Sequence, residues 1–222
     1  MTLIEIDLSK EPVCLQELWA NTVMTYENDL KDECRAEVVE LLKNEQKNLC
    51  AYCQKNIENV MNIEHYIAQS DILNNDHNLQ LSFSNFLGVC TGKLYLNREA
   101  GTHERHCDTN KGNIPLRIDP RIHAHVFTIS YTDDFRIISS NQEMNSDLNN
   151  VLNLNIDGIC ALRQKTFNEY FVRISEYWSG NLVIEFYRKA LRDMKNNPPE
   201  YYGYIKYRFT QLIENEINRI EQ

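Results

Sequence analysis

Four of the chain's seven cysteines fall between Cys50 and Cys107, and their spacing constrains the fold more than any other feature. Cys50-Ala51-Tyr52-Cys53 has the two-residue gap that lets two thiolates reach one zinc ion from a tight turn. A tetrahedral site needs two more ligands, and Cys90 and Cys107 are the candidates. Sixteen residues separate them, so Lys93 to Arg105 reads as an insertion looping out of the site. His103 and His106 lie beside Cys107 and are alternatives to one thiolate. A lone CxxC also suits a redox pair or buried thiols. Four cysteines with a carboxylate and a histidine between them favour zinc.

That carboxylate and histidine lie in Ile63-Glu64-His65-Tyr66-Ile67, which reads as a short strand ending in polar residues. Adjacent strand side chains point to opposite faces, so Glu64 and His65 share one site only if the strand ends or bends there. A neutral imidazole can take a proton from water, and a carboxylate can hold a hard divalent cation. Such a cation polarises a phosphodiester and stabilises the departing oxygen. Asn85 offers a side-chain carbonyl to fix the tautomer of His65. Asp108 offers a second carboxylate, and Lys111 a positive charge for phosphate. An isolated Glu-His pair is usually an ordinary polar pair; its place inside the cysteine bracket gives it weight.

The order Cys50-x-x-Cys53, Glu64-His65, Ser84-Asn85-Phe86-Leu87-Gly88-Val89-Cys90 and His106-Cys107-Asp108-Thr109-Asn110-Lys111-Gly112-Asn113 resembles the HNH endonucleases with the ββα-metal fold. Within them it looks most like the HNH partner of the Septu and retron-associated (PtuB-like) anti-phage defence systems. The resemblance covers about Cys50–Asn113. It implies His65 as general base, Asn85 as the middle asparagine and Asp108 at the third motif position. It implies structural zinc on Cys50, Cys53, Cys90 and Cys107, and catalytic Mg or Mn on Glu64 and Asp108. Lys111 and Arg105 would meet substrate. Many relatives have Asp where Glu64 stands, and Asn or His where Asp108 stands; both departures keep an oxygen ligand. The implied activity is hydrolysis of phosphodiester bonds in DNA or RNA. The implied partners are an SMC/ABC-type ATPase (PtuA-like) and, in retron systems, a reverse transcriptase with its msDNA. The alternative is a zinc-finger binding or adaptor subunit without catalysis.

The rest of the chain frames that stretch. A 42% hydrophobic and 25% charged composition excludes a disordered class. The 222 residues suit a single domain, 1–222, with the finger at 50–113 and a helical region at 141–222 that docks a partner. The expected fold is α+β, mainly α-helical, with an embedded ββα-metal finger and a small β-hairpin. Amphipathic spacing predicts helices over 15–24 and 29–47, then 146–154, 156–178, 182–195 and 204–220. A hairpin is expected over 57–66 around Glu58-Asn59, and another over 125–138 around Asp133-Asp134. His123 and His125 then share one strand face. Tyr201, Tyr202, Tyr204 and Tyr207 suit either a core or an interface.

Charge and compartment complete the reading. The net charge of −9 is unusual for a protein that grips a polyanion, so binding needs a local basic patch or a basic partner. Lys93, Arg98, Arg105, Lys111, Arg117 and Arg121 cluster in and after the finger. No apolar run approaches a membrane span, and the acidic first residues lack the basic n-region of a signal peptide. An odd cysteine count argues against a disulfide framework. Cys14, Cys34 and Cys160 are read as buried small hydrophobes, and the compartment as cytoplasmic and reducing.

Overall fold

The computed structural model describes residues 1–71, 77–97, 102–176 and 183–220. It is a mixed α+β fold, mainly helical, with small antiparallel β-pairs. Helices α1 (Val13–Ala20) and α3 (Asp32–Glu45) flank the single turn α2 (Tyr26–Asp29). Turn α2 is capped locally: the Thr25 hydroxyl accepts the Asn28 N–H, and the Asp29 carboxylate accepts the Thr25 N–H. Val38 and Leu42, four apart on α3, bury with Leu30 and with Leu15 of α1, as helical spacing predicts.

One correction concerns cysteines on these helices. Cys14 and Cys34 are half-buried and joined in a disulfide, with Cα atoms 5.8 Å apart. Packing Leu15 against Leu30 and Val38 brings the two sulfurs together, which no spacing rule reveals. The odd count hid this pair, because the thiols of the finger and buried Cys160 account for the others.

Helix α3 hands the chain to the cysteine knuckle through Lys47 and Asn48, both at positive φ. Buried Gln46 staples this corner: its amide N–H donates to the Leu49 and Gly88 carbonyls, and its oxygen accepts the Gly88 N–H. Any side chain at Gly88 would meet Ile57 and Gln46 at 3.1 and 3.2 Å. Strand β1 (Asn62–His65) pairs antiparallel with β2 (Phe86–Val89), in register from Asn62↔Val89 to His65↔Phe86. The expected hairpin over 57–66 is therefore wrong. Ile57 belongs to the cysteine cluster and Ile63 to the α1–α3 cluster, so the segment turns a corner between them.

The insertion between Cys90 and Cys107 does loop out, as the hairpin β3 (Lys93–Asn97) and β4 (Thr102–Arg105). The short α4 (Asp108–Lys111) follows. Residues 123–127 form α5 (His123–Phe127) rather than a strand, so His123 and His125 do not share a strand face. His125 accepts the Asp119 N–H, and His123 stacks on Phe127. The second expected hairpin is present as β5 (Ile129–Tyr131) and β6 (Ile137–Ser139). After α6 (Gln142–Ser146) a π turn over Asp147–Val151 buries Asp147, which accepts the backbone N–H groups of Arg117 and Ile118. Helices α7 (Asp157–Glu176), α8 (Val183–Met194) and α9 (Tyr202–Ile220) close the fold on an aromatic cluster that includes Tyr170, Phe186, Tyr187 and Phe209. Tyr201 and Tyr204 are buried, which favours the core reading for them; Tyr202 and Tyr207 are half-buried. Among the described residues no helix is long and apolar enough to cross a membrane.

Candidate metal centre and adjoining cleft

The β1–β2 ladder carries a different site at each end. At the Val89 end the sulfurs of Cys50, Cys53, Cys90 and Cys107 are buried and all lie within 4.8 Å of one another. Cys50 and Cys107 sulfurs are 3.9 Å apart, and those of Cys53 and Cys90 3.7 Å. A tetrahedral zinc with Zn–S of about 2.3 Å requires sulfurs about 3.8 Å apart. The four cysteines fit that demand and can hold a metal ion such as zinc. Their neighbours, Cys107 first, push the Cys90 thiol far down, while burial first of all pushes Cys107 up. A divalent ion binding there would displace the thiol protons.

Backbone geometry sets this centre. Gln54 at positive φ closes the knuckle by donating to the Cys50 carbonyl. The Ala51 N–H reaches the Gly88 carbonyl, and the Cys107 N–H reaches Leu152. Gly92 has a φ of +66° and receives the His106 N–H on its carbonyl; a side chain there would lie 2.5 Å from the His106 oxygen. His106 does not displace a thiolate. Its Nδ1 sits beside the sulfurs of Cys107 and Cys90, at 3.1 and 4.0 Å, as a flanking hydrogen-bond partner. The side chain of His103 lies outside the described residues.

At the other end Glu64, His65 and Asp108 line one cleft of about 230 Å³, with Tyr26 and Asn113 also on its wall. His65 stands in an aromatic corner, edge-on to Tyr26 at 4.5 Å and to Phe86 at 5.1 Å. Its Nε2 lies 2.9 Å from the Gln80 carbonyl. A carbonyl only accepts, so Nε2 carries the hydrogen of the neutral ring and Nδ1 keeps a lone pair. Burial holds the His65 pKa below its ordinary value.

The expected partner of His65 was Asn85, and the structure corrects this. The Asn85 oxygen accepts the Ile67 N–H at 2.8 Å, and its amide donates to the carbonyls of Ile67 and Leu79. Asn85 thus ties the two ends of the 67–79 segment, and the next carbonyl, that of Gln80, meets the imidazole. Lys111 also departs from expectation. It is 1% exposed, with Nζ 2.7 Å from Glu64 Oε1, so it is no surface contact for phosphate. Its ammonium also donates to the carbonyls of His65 and Gly112. Tyr52, between the knuckle cysteines, donates its hydroxyl to the same Glu64 oxygen at 3.3 Å. Sequence reasoning passed over Tyr52, Tyr26 and Gln80; of these only Tyr52, inside the CxxC, stood in a marked position.

Charge in this corner is unbalanced. Burial, and then the Asp108 carboxyl alongside, push Glu64 up to about 8 despite the opposing pull of Lys111. Two carboxylates and one ammonium leave one excess negative charge, which a proton or a cation can neutralise. Of the other basic residues, Arg105 is exposed opposite Lys93 across the β3–β4 hairpin. Arg117 is exposed as well. Arg121 is committed to Asp119 at 2.8 Å and lies over the Tyr66 ring. Arg98 lies outside the described residues. No protein-family model and no curated protein matches the chain.

Proposed function

We propose that this chain is a metal-dependent HNH-type endonuclease that hydrolyses phosphodiester bonds of nucleic acid, DNA by preference. The observation that carries the reading is the convergence of Glu64, His65 and Asp108 on one cleft, braced by a four-cysteine centre at the far end of the same ladder. Those are the residues and the layout that the resemblance to HNH endonucleases implies. A Mg²⁺ or Mn²⁺ ion held by Glu64 and Asp108 would supply the charge that polarises the phosphodiester and steadies the departing oxygen. The excess negative charge between the two carboxyls suits such an ion. The Nδ1 lone pair of His65 takes the proton of the attacking water, while the Gln80 carbonyl retains Nε2–H. Lys111 and Tyr52 hold Glu64 from behind.

The test is cleavage of plasmid DNA and of RNA by the purified chain with Mg²⁺ or Mn²⁺. His65→Ala should lose roughly 10²–10⁴-fold in rate while keeping zinc and fold. Because burial depresses the His65 pKa, the wild-type rate should decline only at pH below about 6.5. Full cleavage by the alanine variant would sink the reading.

The resemblance supports an ATPase of SMC/ABC type as the partner in an anti-phage defence complex, with a reverse transcriptase and its msDNA added in retron systems. The charge of −9 agrees with a substrate held largely by a partner. A second reading, a zinc-finger adaptor without catalysis, draws on exposed apolar side chains such as Phe127, 83% exposed, and Val23. Phage protection that survives His65→Ala in cells carrying both subunits would favour the adaptor.

A further inference from the structure

The Tyr26 wall of the cleft comes from outside the finger. Turn α2 lies in the N-terminal segment, yet the Tyr26 ring meets the His65 imidazole edge-on at 4.5 Å and 80°. The Tyr26 N–H also donates to the Gln80 side-chain oxygen at 3.2 Å, and the Gln80 backbone carbonyl is the partner of His65 Nε2. Tyr26 therefore reaches His65 twice, once through its ring and once through Gln80. Its own ring is fixed from behind: Arg35 donates to the hydroxyl at 3.0 Å, with the guanidinium 5.5 Å from the ring centroid. Arg35 directly follows Cys34, and the Cys14–Cys34 bond closes the loop that carries Tyr26.

We propose that Tyr26 is a positioning residue for His65 and that the Cys14–Cys34 disulfide holds it there. The proposal deepens the nuclease reading, because it rests on His65 as the working group of the cleft. The disulfide is half-buried, whereas the four finger cysteines are buried, so a small dithiol reaches the first before the second. One thiolate of the dithiol attacks a protein sulfur to form a mixed disulfide, and its second thiolate closes on the first. The protein gains two electrons and two protons as free Cys14 and Cys34, and the dithiol leaves as a cyclic disulfide. Opening the bond returns conformational freedom to residues 15–33 and slackens the Arg35–Tyr26 contact that steadies the ring.

The test uses the full zinc-loaded chain, with nitrogen-15 NMR of the His65 imidazole assigned by difference from His65→Ala. Oxidised wild type should show the Nε2–H tautomer alone. Tyr26→Ala should mix the tautomers, whereas Tyr26→Phe, which keeps the ring edge, should stay near wild type. Should Tyr26→Ala fail to fold, Tyr26→Leu fills the space without an aromatic edge and gives the same readout. Dithiothreitol, or Cys14→Ser with Cys34→Ser, should raise amide exchange at Tyr26 by about tenfold or more with zinc content unchanged. A single His65 tautomer in Tyr26→Leu, or Tyr26 amide exchange indifferent to reduction, overturns the proposal. In cleavage assays Tyr26→Ala should lower kcat more than it changes KM. A chain that cuts nothing yet shows these NMR responses refutes the nuclease reading alone. A cutting chain whose His65 ignores Tyr26 refutes this proposal alone.

Discussion

The two ends of the β1–β2 ladder are built from opposite materials. At the Val89 end four like groups converge, and every sulfur faces the same centre from an apolar shell. At the His65 end unlike groups converge: two carboxyls, an ammonium, an imidazole and a phenol share one corner. The first arrangement has one good solution, a bound metal, and then nothing left to change. The second keeps a charge imbalance and an open face, which is what chemistry on a substrate needs. Helix α4 spans the two, with Cys107 at its start and Lys111 at its end. Rigidity at one end thereby places charge at the other.

The largest expected effect breaks the closed end. Structural zinc supplies about 10–16 kcal/mol in small fingers, as much as the whole stability of an ordinary domain. Cys107→Ser should therefore remove zinc, from about one per chain to none by elemental analysis, and with it the near-ultraviolet signal of Tyr52. A folded, zinc-free finger would erase the distinction between the two ends.

Next in size is the buried ion pair of the open end. Lys111→Met removes the ammonium that opposes the rise of Glu64, so the cost shows above about pH 8, where wild-type Glu64 is charged and losing one member of such a pair costs about 3–5 kcal/mol. Adding Glu64→Gln to that variant should recover most of the loss in urea titrations at that alkaline pH, since the uncompensated charge goes with it. Wild-type stability in Lys111→Met, with weakened nucleic-acid binding instead, would return Lys111 to the surface role its sequence position suggested.

A smaller effect concerns the charge imbalance itself. Glu64 rises from an ordinary 4.5 to about 8 on folding, so the native state binds the extra proton between those values. Stability in the absence of divalent cations should accordingly fall as pH rises from 4.5 to 8, by at most about 1.4 kcal/mol per pH unit. Millimolar Mn²⁺ should flatten that slope by taking the place of the proton. Urea midpoints across this range, with and without Mn²⁺, decide the matter; a slope that Mn²⁺ leaves unchanged would count against a cation at Glu64 and Asp108.

The sequence made the closed end readable because identical residues at metal spacing advertise themselves. Glu64, His65 and Asp108 were legible as one cleft for the same reason, being framed by cysteines. What supports them was not. Lys111 reads as a phosphate contact until its partner Glu64, far away in sequence, is seen to bury it. Tyr26 and Gln80 carry no motif and meet His65 only because α1 and α3 pack against β1 and β2. The disulfide was hidden by the same long-range packing. Helices α1, α3, α7, α8 and α9 followed from apolar spacing, while the strand partner of β1 depended on where Ile57 and Ile63 each found a core.

The smallest expected effect asks whether the closed end also touches substrate. Arg105 and Lys93 face each other across the β3–β4 hairpin, both exposed. Two like charges so placed repel slightly, and neither holds the fold together. Arg105→Ala should therefore shift stability by no more than about 0.5 kcal/mol. If the hairpin lies along a nucleic-acid backbone, the same change removes one phosphate contact. The slope of log affinity against log salt should then drop by about 0.9 for duplex DNA, equally for all sequences. The measurement is fluorescence anisotropy with a labelled duplex at several salt concentrations, in the presence of the proposed ATPase partner so that binding is strong enough to read. An unchanged slope would confine the substrate to the His65 end and leave the cysteine end purely structural. A reduced slope would mean that one ladder serves both purposes, its metal end gripping the backbone on which the proposed chemistry of its charged end would act.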